Sequence, residues 1–118
     1  MENRTFIVKG ENLLEPVTAL VRQYYQQAYE SSYKGGFVRY FEDYSLMNSN
    51  DLMVSLRIDT NEAEKGIVTI EIVVGGSRDN IIFDLTFGSE GRRIKRFREK
   101  LEEFCKEHKF SMEIKSES

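Results

Sequence analysis

An α+β fold is what this chain predicts: a two-layer sandwich with two helices on one face of a mainly antiparallel sheet of five to six strands. Three observations carry that prediction. Short runs in the middle of the sequence repeat apolar residues at every second position, each leaving one wholly apolar face. Two longer runs place their apolar residues at helical spacing instead. The length, 118 residues, suits one domain with one core, into which a half-apolar sheet and two striped helices must pack.

The elements follow in order β-α-β-β-β-β-α-β. Phe6 and Val8 mark a first strand that stops at Gly10. Leu13, Val17, Leu20, Val21, Tyr24 and Ala28 then share one helical face. Asn12 is placed to be the N-cap, with Glu15 three residues on completing a capping box. Pro16 lacks a backbone donor, so the helix starts either before it or at it. Gly35-Gly36 precedes an aromatic strand from Phe37 to Tyr44, whose facing the pattern leaves open.

Three plainer strands come next. Leu52, Val54, Leu56 and Ile58 alternate with Met53, Ser55, Arg57 and Asp59; Val68, Ile70, Ile72 and Val74 with Ile67, Thr69, Glu71 and Val73; and Ile81, Phe83, Leu85 and Phe87 with Ile82, Asp84 and Thr86. Polar loops ending in glycine separate them, so consecutive antiparallel hairpins are the economical reading. Beyond Gly88-Ser89 the period turns helical, with Ile94, Phe97, Leu101, Phe104, Cys105 and His108 on one stripe. Phe110, Met112 and Ile114 make a last strand, and residues 116–118 are expected to fray.

Composition narrows the class of function. Apolar residues are 40% of the chain and charged residues 31%, with a single proline, which is the balance of a folded chain and not of a disordered one. A net charge of -3 supplies no general attraction to nucleic acid or to anionic membranes. The single Cys105 excludes an internal disulfide and a multi-cysteine metal cluster. Neither a secretory apolar run near Met1 nor a stretch of about 18 apolar residues occurs. A single soluble domain over residues 1–118, in the cytoplasm, is the expectation.

Arg39 to Ser45 reads RYFEDYS, and Gly75 to Gly88 reads GGSRDNIIFDLTFG. With the surrounding element order, these stretches resemble small bacterial domains of unknown function, a likeness that spans most of the chain and implies no site. The order β-α-β-β-β-β-α also resembles the helix-grip and TATA-binding-protein-like arrangement of helices on a curved antiparallel sheet. That arrangement implies a fold alone, because it hosts DNA binders, lipid carriers and enzymes alike.

Four groups of residues are candidates for function. The first is the outer face of the sheet. If Val74 faces Ile81 across Gly75 to Asn80, that loop is a hairpin turn and not a phosphate cradle, since a strand and not a helix follows it. Glu71 then lies opposite Asp84. Pairing Asp59 with Ile67 places Arg57 opposite Thr69, diagonal to Glu71. Met53, Ile67, Val73 and Ile82 surround this charged centre, and such a face could bury itself against a second copy of the chain.

The second group is aromatic. All six tyrosines lie between Tyr24 and Tyr44; Tyr24, Tyr25, Tyr40 and Tyr44 could line a space between the first helix and the sheet, where rings hold an apolar or planar ligand. The third is the basic start of the second helix, where Arg92, Arg93 and Arg96 are candidates for an anion or a nucleic acid. The six basic side chains from Arg92 to Lys100 are spread round the helix, however, with acids at helical spacing, so a solvated helix is the simpler reading. The fourth is Cys105 with His108, three residues apart on one stripe. An oxyanion site and an orienting group are missing, which leaves a structural thiol as the stronger reading.

These residues contain no catalytic constellation, no metal-ligand set and no cofactor motif. The expected function is therefore non-enzymatic: self-association as a homodimer through the outer sheet face, or else carriage of a small ligand in the tyrosine-rich space, or anion binding by the second helix. By geometry neither nucleic acid nor a membrane is an expected partner.

Overall fold

The computed structural model describes residues 2–45, 50–76 and 89–115. Alternation and helical spacing become β1 (Glu2–Lys9), α1 (Leu14–Tyr24), β2 (Tyr29–Tyr33), β3 (Gly36–Ser45), β4 (Asn50–Asp59), a short 3₁₀ turn (Ala63–Lys65), β5 (Ile67–Gly76), α2 (Ser89–His108) and β6 (Ser111–Lys115). The α+β class and the order β-α-β-β-β-β-α-β hold. Six strands form one sheet in the order β2-β3-β4-β5-β1-β6, antiparallel at every junction.

The membership of that order differs from the expectation at one place. β2 was not anticipated, because Tyr-Glu-Ser-Ser-Tyr has no apolar alternation to announce it. It forms an edge strand whose inward side carries Glu30 and Ser32, opposite Arg39 and Phe37 of β3. The expected strand from Ile81 to Phe87, and with it Ile82 and Asp84, lies outside the described residues, as do residues 77–80 of the glycine loop.

Both flanks of β5 are already occupied. β4 pairs with it from Leu52↔Gly76 to Asp59↔Thr69, and β1 pairs with it from Glu2↔Val74 to Lys9↔Ile67. The neighbour of Glu71 on one side is thus Thr5 and on the other Arg57, so the hairpin register expected to set Asp84 against Glu71 is replaced. The β4–β5 register is also two residues from the one expected: Asp59 meets Thr69, not Ile67. The cause is the 3₁₀ turn, closed by the Gly66 N–H on the Ala63 carbonyl, which lets Ile67 and Val68 run past the end of β4 to pair with β1.

Because a shift of two keeps every side chain on its own face, the core survives it. Phe6 and Val8, Val54, Leu56 and Ile58, and Val68, Ile70, Ile72 and Val74 are all buried on one face. Ile94, Phe97, Leu101 and Cys105 of α2 meet them from above, and α2 packs on β5, β1 and β6. Leu13, Val17 and Val21 join the same cluster from the first helical segment. The facing of β3 is now set: Phe37, Arg39 and Phe41 point inward, and the inward Arg39 is what broke the apolar alternation.

Helix termini correct two further expectations. Asn12 is not the N-cap. It takes a left-handed backbone conformation, φ 53°, and Leu13 holds the cap position with no side-chain cap bond. Pro16 is the third helical residue, inside the first turn, where an N–H has no intrahelical partner to lose. α1 stops at Tyr24, and Tyr25 is extended, so Ala28 belongs to the connection and not to the helix.

Candidate ligand-binding cleft

The last turn of α1 brings Leu20, Gln23 and Tyr24 onto one side, three and four residues apart, and Tyr25 follows as the chain leaves the helix. Beneath them, Phe41 of β3 pairs with Val54 of β4, and Ile72 of β5 continues the inward row. Opposite them, α2 presents Arg93, Arg96 and Lys100, at spacings of three and four that put them on one stripe. These ten residues line a cleft of about 430 Å³. That volume is within the range of small-molecule sites, roughly 300–1,000 Å³.

Aromatic contacts set the shape of the floor. The Tyr25 ring lies flat on Phe41, with centroids 4.1 Å apart and planes 11° apart. Tyr24 stands edge-on to Phe41 at 6.5 Å and to Phe97 at 5.1 Å. The Tyr25 hydroxyl donates to the Glu42 carbonyl at 3.3 Å, which fixes the far end of the ring on β3.

A charged network anchors the same corner from below. Arg39, only 7% exposed, donates Nη2 to the Tyr25 carbonyl at 2.8 Å and Nη1 to Glu30 Oε1 at 2.7 Å. Glu30 also receives a forked pair from Arg22, Nε at 3.1 Å and Nη2 at 2.8 Å, while the Arg22 guanidinium sits over the Phe37 ring at 5.0 Å. The Arg22 hydrogen bond, with Arg39 assisting against the cost of burial, holds the Glu30 carboxyl below the ordinary carboxylate range. Glu30 in turn raises Arg22 further above its usual value. This group is consumed by structure: it ties α1 to the sheet and positions Tyr25.

The candidates named from sequence therefore divide. Tyr24, Tyr25, Arg93 and Arg96 come together in one cleft, although they had been assigned to two separate sites. Arg92 is exposed and off the cleft stripe. Tyr40 belongs to the opposite face of the sheet, where it stacks with Tyr29 at 6.2 Å. Tyr44 pairs with Asp51 in the β3–β4 ladder.

Phe41, which accompanies the tyrosines in sequence, lines it too, and Lys100, Gln23, Leu20, Val54 and Ile72, which had not been assigned to a site, complete the lining. The signal for Lys100 was its place four residues after Arg96. Counting all six basic residues of this segment together had concealed that three of them share a stripe.

On the outer face, Arg57 lies directly opposite Glu71, not diagonal to it, with Thr5 on the other side of Glu71. Met53 is 52% exposed there, and Ile67 and Val73 are half-buried. The Cys105 thiol is buried, and loss of solvent pushes its pKa up to about 11, the reverse of what a nucleophile needs. The His108 ring stacks on Phe110 at 5.5 Å and lies tilted against Phe104 at 4.4 Å.

Among the described residues, no three His, Cys, Asp or Glu side chains gather as a metal site would require. No described helix is long and apolar enough to cross a membrane. In comparisons with known proteins, no family model, curated protein or solved structure matches this chain.

Proposed function

We propose that this domain binds a small amphipathic anion in the cleft between α1 and α2. The observation that carries the reading is the sharing of one cleft by an aromatic, apolar floor and a basic rim, Arg93, Arg96 and Lys100. The apolar body of the ligand rests against Leu20, Tyr24, Phe41, Val54 and Ile72, where burial supplies about 25 cal/mol per Å². Its negative end stays near Arg96 and Lys100, which are exposed and keep their water until the ligand arrives. Charge-assisted contacts of this kind contribute about 1.5–3 kcal/mol each when the partner is well placed.

The test uses a fluorescent planar anion, 8-anilinonaphthalene-1-sulfonate, and its uncharged relative N-phenyl-1-naphthylamine. The anion is expected to bind one per chain, and Arg96→Ala with Lys100→Ala should weaken it about tenfold or more while leaving the uncharged probe unchanged. Equal binding of both probes to wild type and double variant would overturn the proposal. Native mass spectrometry of protein purified from cells then identifies the resident compound.

Self-association is a second reading, favoured by a different observation. Tyr29, Tyr33, Tyr40 and Met53 are among the large apolar side chains left exposed, and all four occupy outer-face positions on β2, β3 and β4. Light scattering across a concentration series tests it: a chain that stays monomeric at several hundred micromolar does not use this surface for itself.

A further inference from the structure

We infer that the anion taken by the cleft between α1 and α2 is a phosphate monoester carried on a planar ring, which rests on the cleft reading above and names its ligand class. None of the described residues lining the cleft is Asp or Glu, while Arg93, Arg96 and Lys100 all line it. Arg96 and Lys100 are exposed and form no ion pair among the described residues. A carboxylate or sulfonate brings one negative charge to that pair of cations. A phosphate monoester brings about 1.5 to 2 at pH 7, with three acceptor oxygens on one atom. Arg96 and Lys100 are also only about 6 Å apart along the axis of α2, so their long side chains can close on one compact group. There the Arg96 guanidinium can give two parallel N–H donors to two phosphate oxygens.

The floor selects the body of the ligand. The Tyr25 ring is fixed before any ligand arrives: it lies flat on Phe41 at 4.1 Å, its hydroxyl donates to the Glu42 carbonyl, and its backbone carbonyl accepts from Arg39. Tyr24 stands edge-on to both Phe41 and Phe97. Rings that are already ordered lose little freedom on binding, and a rigid flat ligand loses little either. An alkyl chain of the same area must freeze its rotors to lie on the same floor. A ring also gains stacked or edge-on contacts with Tyr24, Tyr25 and Phe41 beyond the area it buries.

The experiment is calorimetric titration of the full chain at pH 8 with 1-naphthyl phosphate, 1-naphthalenesulfonate and octyl phosphate. The naphthyl phosphate is expected to bind one per chain, about tenfold or more tighter than the sulfonate, as one further charge-assisted contact implies. It should also bind more tightly than octyl phosphate, which has the same head on a flexible chain. Arg96→Gln with Lys100→Gln, both at exposed positions, should remove most of the advantage of the phosphate over the sulfonate. Equal binding of the two naphthyl anions, each weakened by the double variant, would overturn the phosphate and leave the anion cleft standing. Octyl phosphate binding as tightly as the naphthyl ester would overturn the planar ring and point to a lipid-like phosphate. Failure of all three probes to bind, or indifference of all three to the double variant, would overturn the cleft reading itself.

Discussion

Glu30 and Arg39 face one another directly across β2 and β3, and the Arg39 guanidinium donates to the Glu30 carboxylate at 2.7 Å. Arg39 is nearly buried among Phe37, Phe41 and Leu56, and a buried cation without its partner is costly. The same carboxylate takes the fork from Arg22, so one residue joins the edge strand to both β3 and α1.

Glu30→Gln is therefore expected to destabilise the fold by about 1–3 kcal/mol at neutral pH. Because the folded carboxyl is held below its unfolded value, the contribution of Glu30 is fully present above the ordinary carboxylate range and fades as pH falls through the depressed folded value. Urea unfolding at pH 7 and at pH 3 measures this. The gap between wild type and variant should narrow at the lower pH; a gap of unchanged size would mean that the charge on Glu30 is not what holds the corner.

Lys109→Gly should raise stability. Lys109 follows α2 in a left-handed conformation, φ 61°, and the Phe110 N–H donates to the Cys105 carbonyl at 2.9 Å, the six-to-one bond of a Schellman cap. Phe110 packs against Phe104 one turn back, with ring centroids 5.8 Å apart, as such caps favour. Glycine adopts this backbone without the side-chain penalty, so a gain of about 0.5–1 kcal/mol is expected in the denaturant midpoint. The neighbouring Lys106→Gly, inside the helix, should lose about 1 kcal/mol.

Cys105 should be inert in the folded chain. With the thiol pushed up to about 11 by burial, iodoacetamide at pH 8 is expected to label it only as fast as the protein opens. Adding urea beyond the unfolding midpoint should raise the labelling rate steeply. Rapid labelling in native buffer would contradict a buried thiol.

The regular parts of the fold were legible because their physics is local. Val54, Leu56 and Ile58 had to share a face, as had Val68 to Val74, since side chains alternate along a strand. Ile94, Phe97 and Leu101 had to share a stripe. β2 was not legible, because an edge strand needs little apolar surface and Glu30 reaches its inward place only through two arginines from elsewhere in the chain. Arg39 hid the facing of β3 for the same reason.

The candidate cleft was half legible. Tyr24 and Tyr25, and Arg93 and Arg96, were each noticeable in their own segments, but nothing in either segment states that the other lies across from it.

By itself, the sequence determined the class, the element types, the apolar faces and the exclusion of a disulfide framework, all of which follow from periodicity and composition. Only the tertiary structure decided that β1 enters between β5 and β6, that Arg57 meets Glu71, and that a basic stripe on α2 overlooks an aromatic floor built from α1 and β3. Those relations join residues far apart in the chain, and long-range pairing is chosen by the packing of the whole core and not by any segment within it.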